Sequence, residues 1–320
     1  MKLWTNKEVE ILHENYSWNP RIDELLPDRP RRQIVSKANR EGLKVMGRGR
    51  AWGLKVDFFD HWSEEMAYVY GLIVADGCIM KRKDSGIMVI DITLNDEDHI
   101  RRLANLLGVP ERVYSNSDGT YHLRFVSNYI AKRLMKLKVP FRKSLVLGKL
   151  PVPKKFFSHF LRGYFDGDGS FSINAKGRAP MLSFTSGSYN FLRWIQAKLK
   201  RYYGFPMGRL RNKKGTNTWN VWYRKSASIF LMAIMYRDKG DLFLRRKYNR
   251  YISYLSDQGH TIREKEFISL LNARLPQKEV EEIVHSLEQE KQQVTWWKPV
   301  ESDADKLDID DISGTIVGLQ

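Results

Sequence analysis

Residues 161–171 read LRGYFDGDGSF and set two carboxylates, Asp166 and Asp168, among the glycines Gly163, Gly167 and Gly169. Glycine is a poor helix residue and Asp-Gly is a turn signal. Yet the preceding KKFFSHFLRGYF reads as a helix that runs straight into the pair. A helix that keeps glycines in its last turns and finishes on an aspartate needs a reason beyond local propensity.

An internal repeat supplies one. With Asp76 set against Asp168, an offset of 92, YGLIVADGCI (70–79) lies over RGYFDGDGSF (162–171). Farther on, GIMVIDITLNDEDHIRRLANLLG lies over APMLSFTSGSYNFLRWIQAKLK, each reading as a strand then a helix. RVYSNSDGTYHLRFVS and GRLRNKKGTNTWNVWYRK both read as hairpins, turning at Asp118-Gly119 and Lys214-Gly215. Each copy is therefore expected to run helix, two strands, helix, two strands, helix, with the Pro-interrupted RKSLVLGKLPVPKK between copies. The fold class is α+β, two pseudo-symmetric αββαββα repeats.

Small residues stand four apart before each terminal aspartate: Gly71 and Ala75 in the first copy, Gly163 and Gly167 in the second. Positions i and i+4 share a helix face, so two nearly bare faces can pack at short backbone separation. Their ends then coincide and Asp76 meets Asp168. Two carboxylates at neighbouring helix C-termini repel each other and oppose both helix dipoles. A divalent cation reverses the balance, and oxygen ligands suit Mg²⁺, with Mn²⁺ or Ca²⁺ able to occupy the same site. Paired metal-bound carboxylates serve in-line phosphodiester hydrolysis. The competing reading is two helix stops with glycine in the left-handed cap position. Cys78, just beyond the first motif, reads as a small buried apolar residue with Ser170 as its counterpart.

GLIVADG and GYFDGDG resemble the two signature motifs of LAGLIDADG homing endonucleases in their single-chain, two-repeat form, over roughly residues 65–255. The resemblance implies a saddle of two curved sheets on duplex DNA, with both strands hydrolysed to leave short 3′ overhangs. It places the metal-binding acids on Asp76 and Asp168. Val74 stands where the family often has a second acid, which Asp166 retains and which is not a metal ligand. A basic residue near each active site falls on Lys143 in FRKS and Lys247 in LRRKYN, as a catalytic group or a general phosphate contact.

Alternation in the strands predicts a DNA-reading surface. Met88, Ile90, Ile92 and Leu94 face the core, leaving Asp91 and Thr93 outward. Tyr121, Leu123 and Phe125 share one face, His122 and Arg124 the other. Arg209, Arg211 and Lys213 share a face, as do Asn220 and Arg224, and Lys81, Arg82 and Lys83 lie at a strand end. Such side chains suit base edges and phosphates as a set, although any one of them can equally be a solvated charge.

The balance of 54 Lys+Arg to 37 Asp+Glu leaves a formal +17, which calls for a polyanionic partner. Residues 257–320 alone carry −7, so residues 1–256 carry +24. Residues 1–46 read as three short helices resembling a Myb/SANT-like helix-turn-helix domain, opening on Trp4-Thr5 with a second aromatic at Trp18. Thr5 and Glu8 form a capping box, and Arg31, Arg32, Lys37 and Arg40 on the third helix would face DNA, unless that helix is simply a solvated basic face. A basic linker (47–64) leads to the first repeat (65–150) and then the second (151–256). The extension (257–320) reads as two amphipathic helices and an acidic tail, which pack on the body or bind a protein or RNA partner.

One cysteine excludes internal disulfides and Cys-rich zinc modules. No apolar run reaches the ~18–20 residues of a membrane span, and the N-terminus lacks a signal-peptide pattern. The expectation is an intracellular, freestanding monomer that cleaves double-stranded DNA. The alternatives are an RNA-binding intron maturase and a non-cleaving transcription regulator on the same fold.

Overall fold

A computed structural model describes residues 3–16, 22–43, 53–83, 85–174, 179–257, 277–282 and 284–285. Three helices open the chain: α1 (Asn6–Asn15), α2 (Ile22–Leu25) and α3 (Arg31–Arg40). The Thr5–Glu8 capping box starts α1. Leu12, Ile22, Leu26, Ile34 and Ala38 form a small core of their own, separate from the main one. Trp18 lies outside the described residues.

The first repeat runs α4 (Glu64–Asp76), β1 (Gly77–Lys81), β2 (Met88–Leu94), α5 (Glu97–Leu107), β3 (Val113–Ser115), β4 (Tyr121–Val126) and α6 (Asn128–Lys136). The second runs α7 (Phe157–Asp168), β5 (Gly169–Asn174), β6 (Ala179–Ser186), α8 (Tyr189–Tyr203), β7 (Arg211–Asn212), β8 (Trp219–Arg224) and α9 (Ser226–Tyr236), followed by α10 (Arg245–Asp257). The sheets have matched antiparallel orders, β1-β2-β4-β3 and β5-β6-β8-β7. Their hairpins turn on Gly119 (φ 80°) and Gly215 (φ 77°), backbone that glycine adopts without strain.

Both sheets cover the same core, at whose centre α4 and α7 pack with almost every residue buried. A Cβ on Gly71 would stand 2.1 Å from Phe160 O, and one on Gly163 would stand 2.0 Å from Tyr68 O. Gly167 likewise faces Ala75, so position along one helix increases with position along the other. The helices are parallel and their C-termini arrive together.

Residues 53–62, in the stretch read as a linker, are packed rather than extended. Gly53 rests against Gly108, and Lys55 N–H donates to Leu107 O at 3.0 Å. Phe59 is buried, and its carbonyl accepts from Arg133 Nε at 2.9 Å. Of the C-terminal extension, residues 277–282 and 284–285 are helical. Val280 and Val284 of that helix join the main core. The first of the two expected helices and the acidic tail fall outside the described residues.

One expectation fails on the strands, and another holds with a qualification. Cys78 is exposed, because the odd positions of β1 face the helices and Cys78 and Met80 point away. Asp91 does sit on the outer face of β2 but is 4% exposed, covered by His122 and Arg124 from β4.

Candidate active site

The α4 and α7 helices each end on the aspartate and pass directly into a strand. Gly77 (φ −86°) and Gly169 (φ −99°) are extended, so neither is a left-handed cap. Glycine is needed there because the turning chain crosses the helix's own last turn. A Cβ on Gly77 would stand 2.7 Å from Ile73 Cα, and one on Gly169 would stand 2.6 Å from Phe165 O.

The two helix ends touch. A Cβ on Gly167 would lie 2.3 Å from Ala75 Cβ and 2.7 Å from a carboxylate oxygen of Asp76. Burial raises the Asp76 carboxyl above its usual value, against the pull of the Lys247 and Lys143 charges. Burial, with the Asp76 charge added, pushes Asp168 up to about 6. Each carboxylate is thus held where its charge is least welcome.

Two lysines meet the same helix ends. Lys143 Nζ donates to Ala75 O at 2.7 Å. Lys247 Nζ donates to Phe165 O, Gly167 O and Gly169 O at 2.8, 3.0 and 2.6 Å. Carbonyls at the end of a helix run short of partners within it, and a cation suits a helix C-terminus. Burial lowers Lys143, and it lowers Lys247 to about 8. The neighbouring Arg142, Arg245 and Arg246 are exposed. Arg142 adopts φ 52°, the left-handed turn that sends Lys143 inward. So the structure separates the lysines from adjacent arginines that sequence could not rank.

Asp166 is wholly buried and accepts from Tyr68 Oη and Tyr236 Oη, both at 2.7 Å, and from Leu244 N–H at 3.0 Å. Tyr68 Oη also lies 2.8 Å from His99 Nε2. One carboxylate therefore ties α7 to α4, α9 and the start of α10, the helix that carries Lys247. Arg162, one turn earlier, is 2% exposed and donates to Met235 O and Leu242 O at 2.8 and 3.0 Å. Sequence reasoning passed over this network. Its signal was an Arg and an Asp at i, i+4 on an otherwise apolar helix.

The other singled-out residues lie on two surfaces. Lys81, Arg82 and Lys83 are exposed at the end of β1. Arg124 and half-buried His122 lie on the outer face of the first sheet. Arg209, Arg211, Lys213 and Arg224 are exposed in the second repeat, where only Arg211 and Arg224 fall within strands, and Asn220 is half-buried beside Thr185. On α3, Arg31 and Arg32 are exposed, Arg31 pairing with Asp23. Lys37 pairs with Glu41 at 2.6 Å, and Arg40 Nε donates to Ser36 O at 3.4 Å. Arg29, not singled out from sequence, is buried with its guanidinium 4.7 Å from the Trp4 ring centre and its Nε 2.8 Å from Glu8.

Among the described residues no group of three or more His, Cys, Asp or Glu side chains could hold a metal. The donor set at the helix ends is two carboxylates, all oxygen. That fits a hard divalent cation whose other ligands are water or substrate oxygens. No helix of the described residues is long and apolar enough to cross a membrane.

Residues 63–137 and 156–235 match the LAGLIDADG-like domain. The DNA-directed RNA polymerase subunit Rpo1C of Methanocaldococcus jannaschii is 26% identical over 168 residues, 51% of this chain but only 18% of that protein. Solved structures with a similar chain path include the meganuclease I-SmaMI bound to uncleaveable DNA, 14% identical over 65% of this chain and 97% of that one, TM-score 0.43. Another is the LAGLIDADG meganuclease I-AabMI bound to uncleaved DNA, 14% identical over 70% and 97%, TM-score 0.43. Over its two repeats, this chain belongs to the LAGLIDADG family.

Proposed function

We propose that this protein is a site-specific homing endonuclease that binds a long double-stranded DNA target and hydrolyses both strands, leaving short 3′ overhangs. The observation that carries the reading is the convergence of Asp76 and Asp168 on two touching helix ends. Nothing in folding asks for that convergence, since burial raises both carboxyls and the Asp76 charge raises Asp168 further. Asp76 and Asp168 would hold Mg²⁺, with Mn²⁺ or Ca²⁺ able to take its place. When bound, such a cation neutralises developing phosphate charge and makes water a better nucleophile.

The chain's own contribution is placement. Packing of α4 on α7 sets the spacing of the carboxylates. Lys143 and Lys247 hold ammonium groups beside them, one per repeat, where they can stabilise a crowded phosphate or steer a water. The outer sheet faces and the exposed basic side chains of α3 supply contacts along the duplex, the protein acting as a monomer inside the cell.

Cleavage of the source organism's intron-less genomic DNA, with the ends mapped by sequencing, tests the reading. Paired breaks at one locus are expected, present with Mg²⁺ and absent in EDTA. Asp76→Asn and Asp168→Asn should each abolish them while leaving duplex binding within about threefold. Undiminished cleavage by either variant would remove the metal-site argument.

A further inference from the structure

The outer faces of the two sheets carry matched cross-strand rows with different chemistry. In the first sheet one row is Cys78, Asp91 and Arg124; in the second, Ser170, Ser183 and Trp222 take those places. The next row is Thr93, His122 and Tyr114 in the first sheet, and Thr185, Asn220 and Arg211 in the second. The backbone repeats, and these side chains do not.

Asp91 organises the first face. Its Oδ2 accepts from Arg124 Nε at 3.0 Å and Nη2 at 2.6 Å, and its Oδ1 lies 3.1 Å from His122 Nδ1. Asn116 Nδ2 donates to His122 Nε2 at 2.7 Å, so that nitrogen accepts and the ring proton sits on Nδ1, toward Asp91. The Asp91 side chain is 6% exposed, whereas that of Arg124 is 49% exposed. A desolvated carboxylate thus grips the Nε–Nη2 side of a half-exposed guanidinium. Neither of the bonds to Asp91 uses Nη1, so the end edge, Nη1 with Nη2, keeps donors for another partner. That edge matches guanine O6 and N7 in the major groove. A mobile surface arginine must lose rotamer freedom to read a base, and this one has already lost it.

The second face has no acid in the row. Ser183 replaces Asp91, and the Arg211 guanidinium lies 5.9 Å from the ring centre of half-buried Trp222. An arginine over an indole on an outer strand presents a different surface from an arginine braced by a carboxylate on an inner strand.

We propose that Asp91 is a positioning residue that braces Arg124 as a guanine-reading fork. The target then contains a guanine in the half read by the first repeat, with no equivalent at the matching position of the other half. The inference rests on the DNA-binding part of the reading above.

The test is a binding-site selection with the full chain on a random duplex library, followed by all single-base variants of the selected site. Wild type is compared with Arg124→Lys and Asp91→Ser, the latter copying the second repeat. Arg124→Lys keeps the charge at a half-exposed position, so its fold is not at risk. Support would be one guanine position whose discrimination falls tenfold or more in both variants, with other positions unchanged. The slope of log affinity against log salt should stay the same in Arg124→Lys. An even loss of affinity across all variants would make Arg124 a phosphate contact and overturn the proposal. So would a guanine preference that survives both substitutions. If wild type selects no sequence, the endonuclease reading fails and this inference falls with it, an outcome distinct from a selected site insensitive to both variants.

Discussion

A carboxyl held near 6 inside a folded protein works against the fold at neutral pH, and Asp168 is such a group. Its folded value lies above the ordinary 3.8, so its favourable contribution is complete below about 3.8 and is lost as pH rises through about 6. At pH 7 and above, folding must keep an ionised, desolvated carboxylate beside Asp76, at a cost of roughly 3 kcal/mol. Asp168→Asn should therefore melt at least about 5 °C above wild type in EDTA at pH 7.5, and level with it at pH 4. Divalent cation should raise the wild-type midpoint more than that of the variant. Thermal melts at the two pH values check this, and a variant no more stable at pH 7.5 would show that the pair is not strained. Asp166, two residues away, is the instructive contrast. Burial raises it too, but three donors offset part of that cost, where Asp168 has a second carboxylate beside it instead. The repeat and the resemblance told the two acids apart in sequence; what they did not show is what holds Asp166, because its partners from α4, α9 and the start of α10 are distant in sequence.

The pairing of α4 with α7 was legible in sequence because small residues at i, i+4, three of the four of them costly glycines, came in two matched copies. Close approach is a backbone property that such residues report directly. Gly163→Ala is accordingly expected to cost at least about 3 kcal/mol, since its Cβ would meet the Tyr68 carbonyl at 2.0 Å and a backbone atom cannot swing aside. Gly119→Ala, at a turn with open space around it, should cost about 1–2 kcal/mol from its φ of 80° alone. Denaturant midpoints of the two variants test whether packing or chain freedom dominates; equal losses would refute the packing role of Gly163. The strands were less legible. Alternation placed Asp91 on the outer face correctly but said nothing of burial, because the cover comes from β4 across the sheet. Cys78 was misassigned for want of the β1 register, where a one-residue shift exchanges the faces.

Charge is a property of the whole chain, and residues 1–256 carry a +24 that the two repeats share with the three N-terminal helices. Those helices have their own core and a buried Arg29 held between Trp4 and Glu8, so they form a separate packed unit. All four charged residues of α3 are basic, and Arg31, Arg32 and Arg40 are exposed. Its internal ion pairs, Arg31 with Asp23 and Lys37 with Glu41, leave Arg32 and Arg40 as the side chains best placed for phosphates. If this unit extends the DNA contact, replacing both by alanine in the full chain should remove about two phosphate contacts. The salt slope would then shrink by about 2, and affinity at low salt would drop roughly 10-fold to 100-fold. The cut position should not move, because Asp76 and Asp168 are set by α4 and α7 alone. Fluorescence anisotropy across a salt series, beside mapping of the cleaved ends, measures both quantities. A shifted cut would mean that the N-terminal unit sets register on the duplex, whereas an unchanged slope would mean that α3 does not touch DNA.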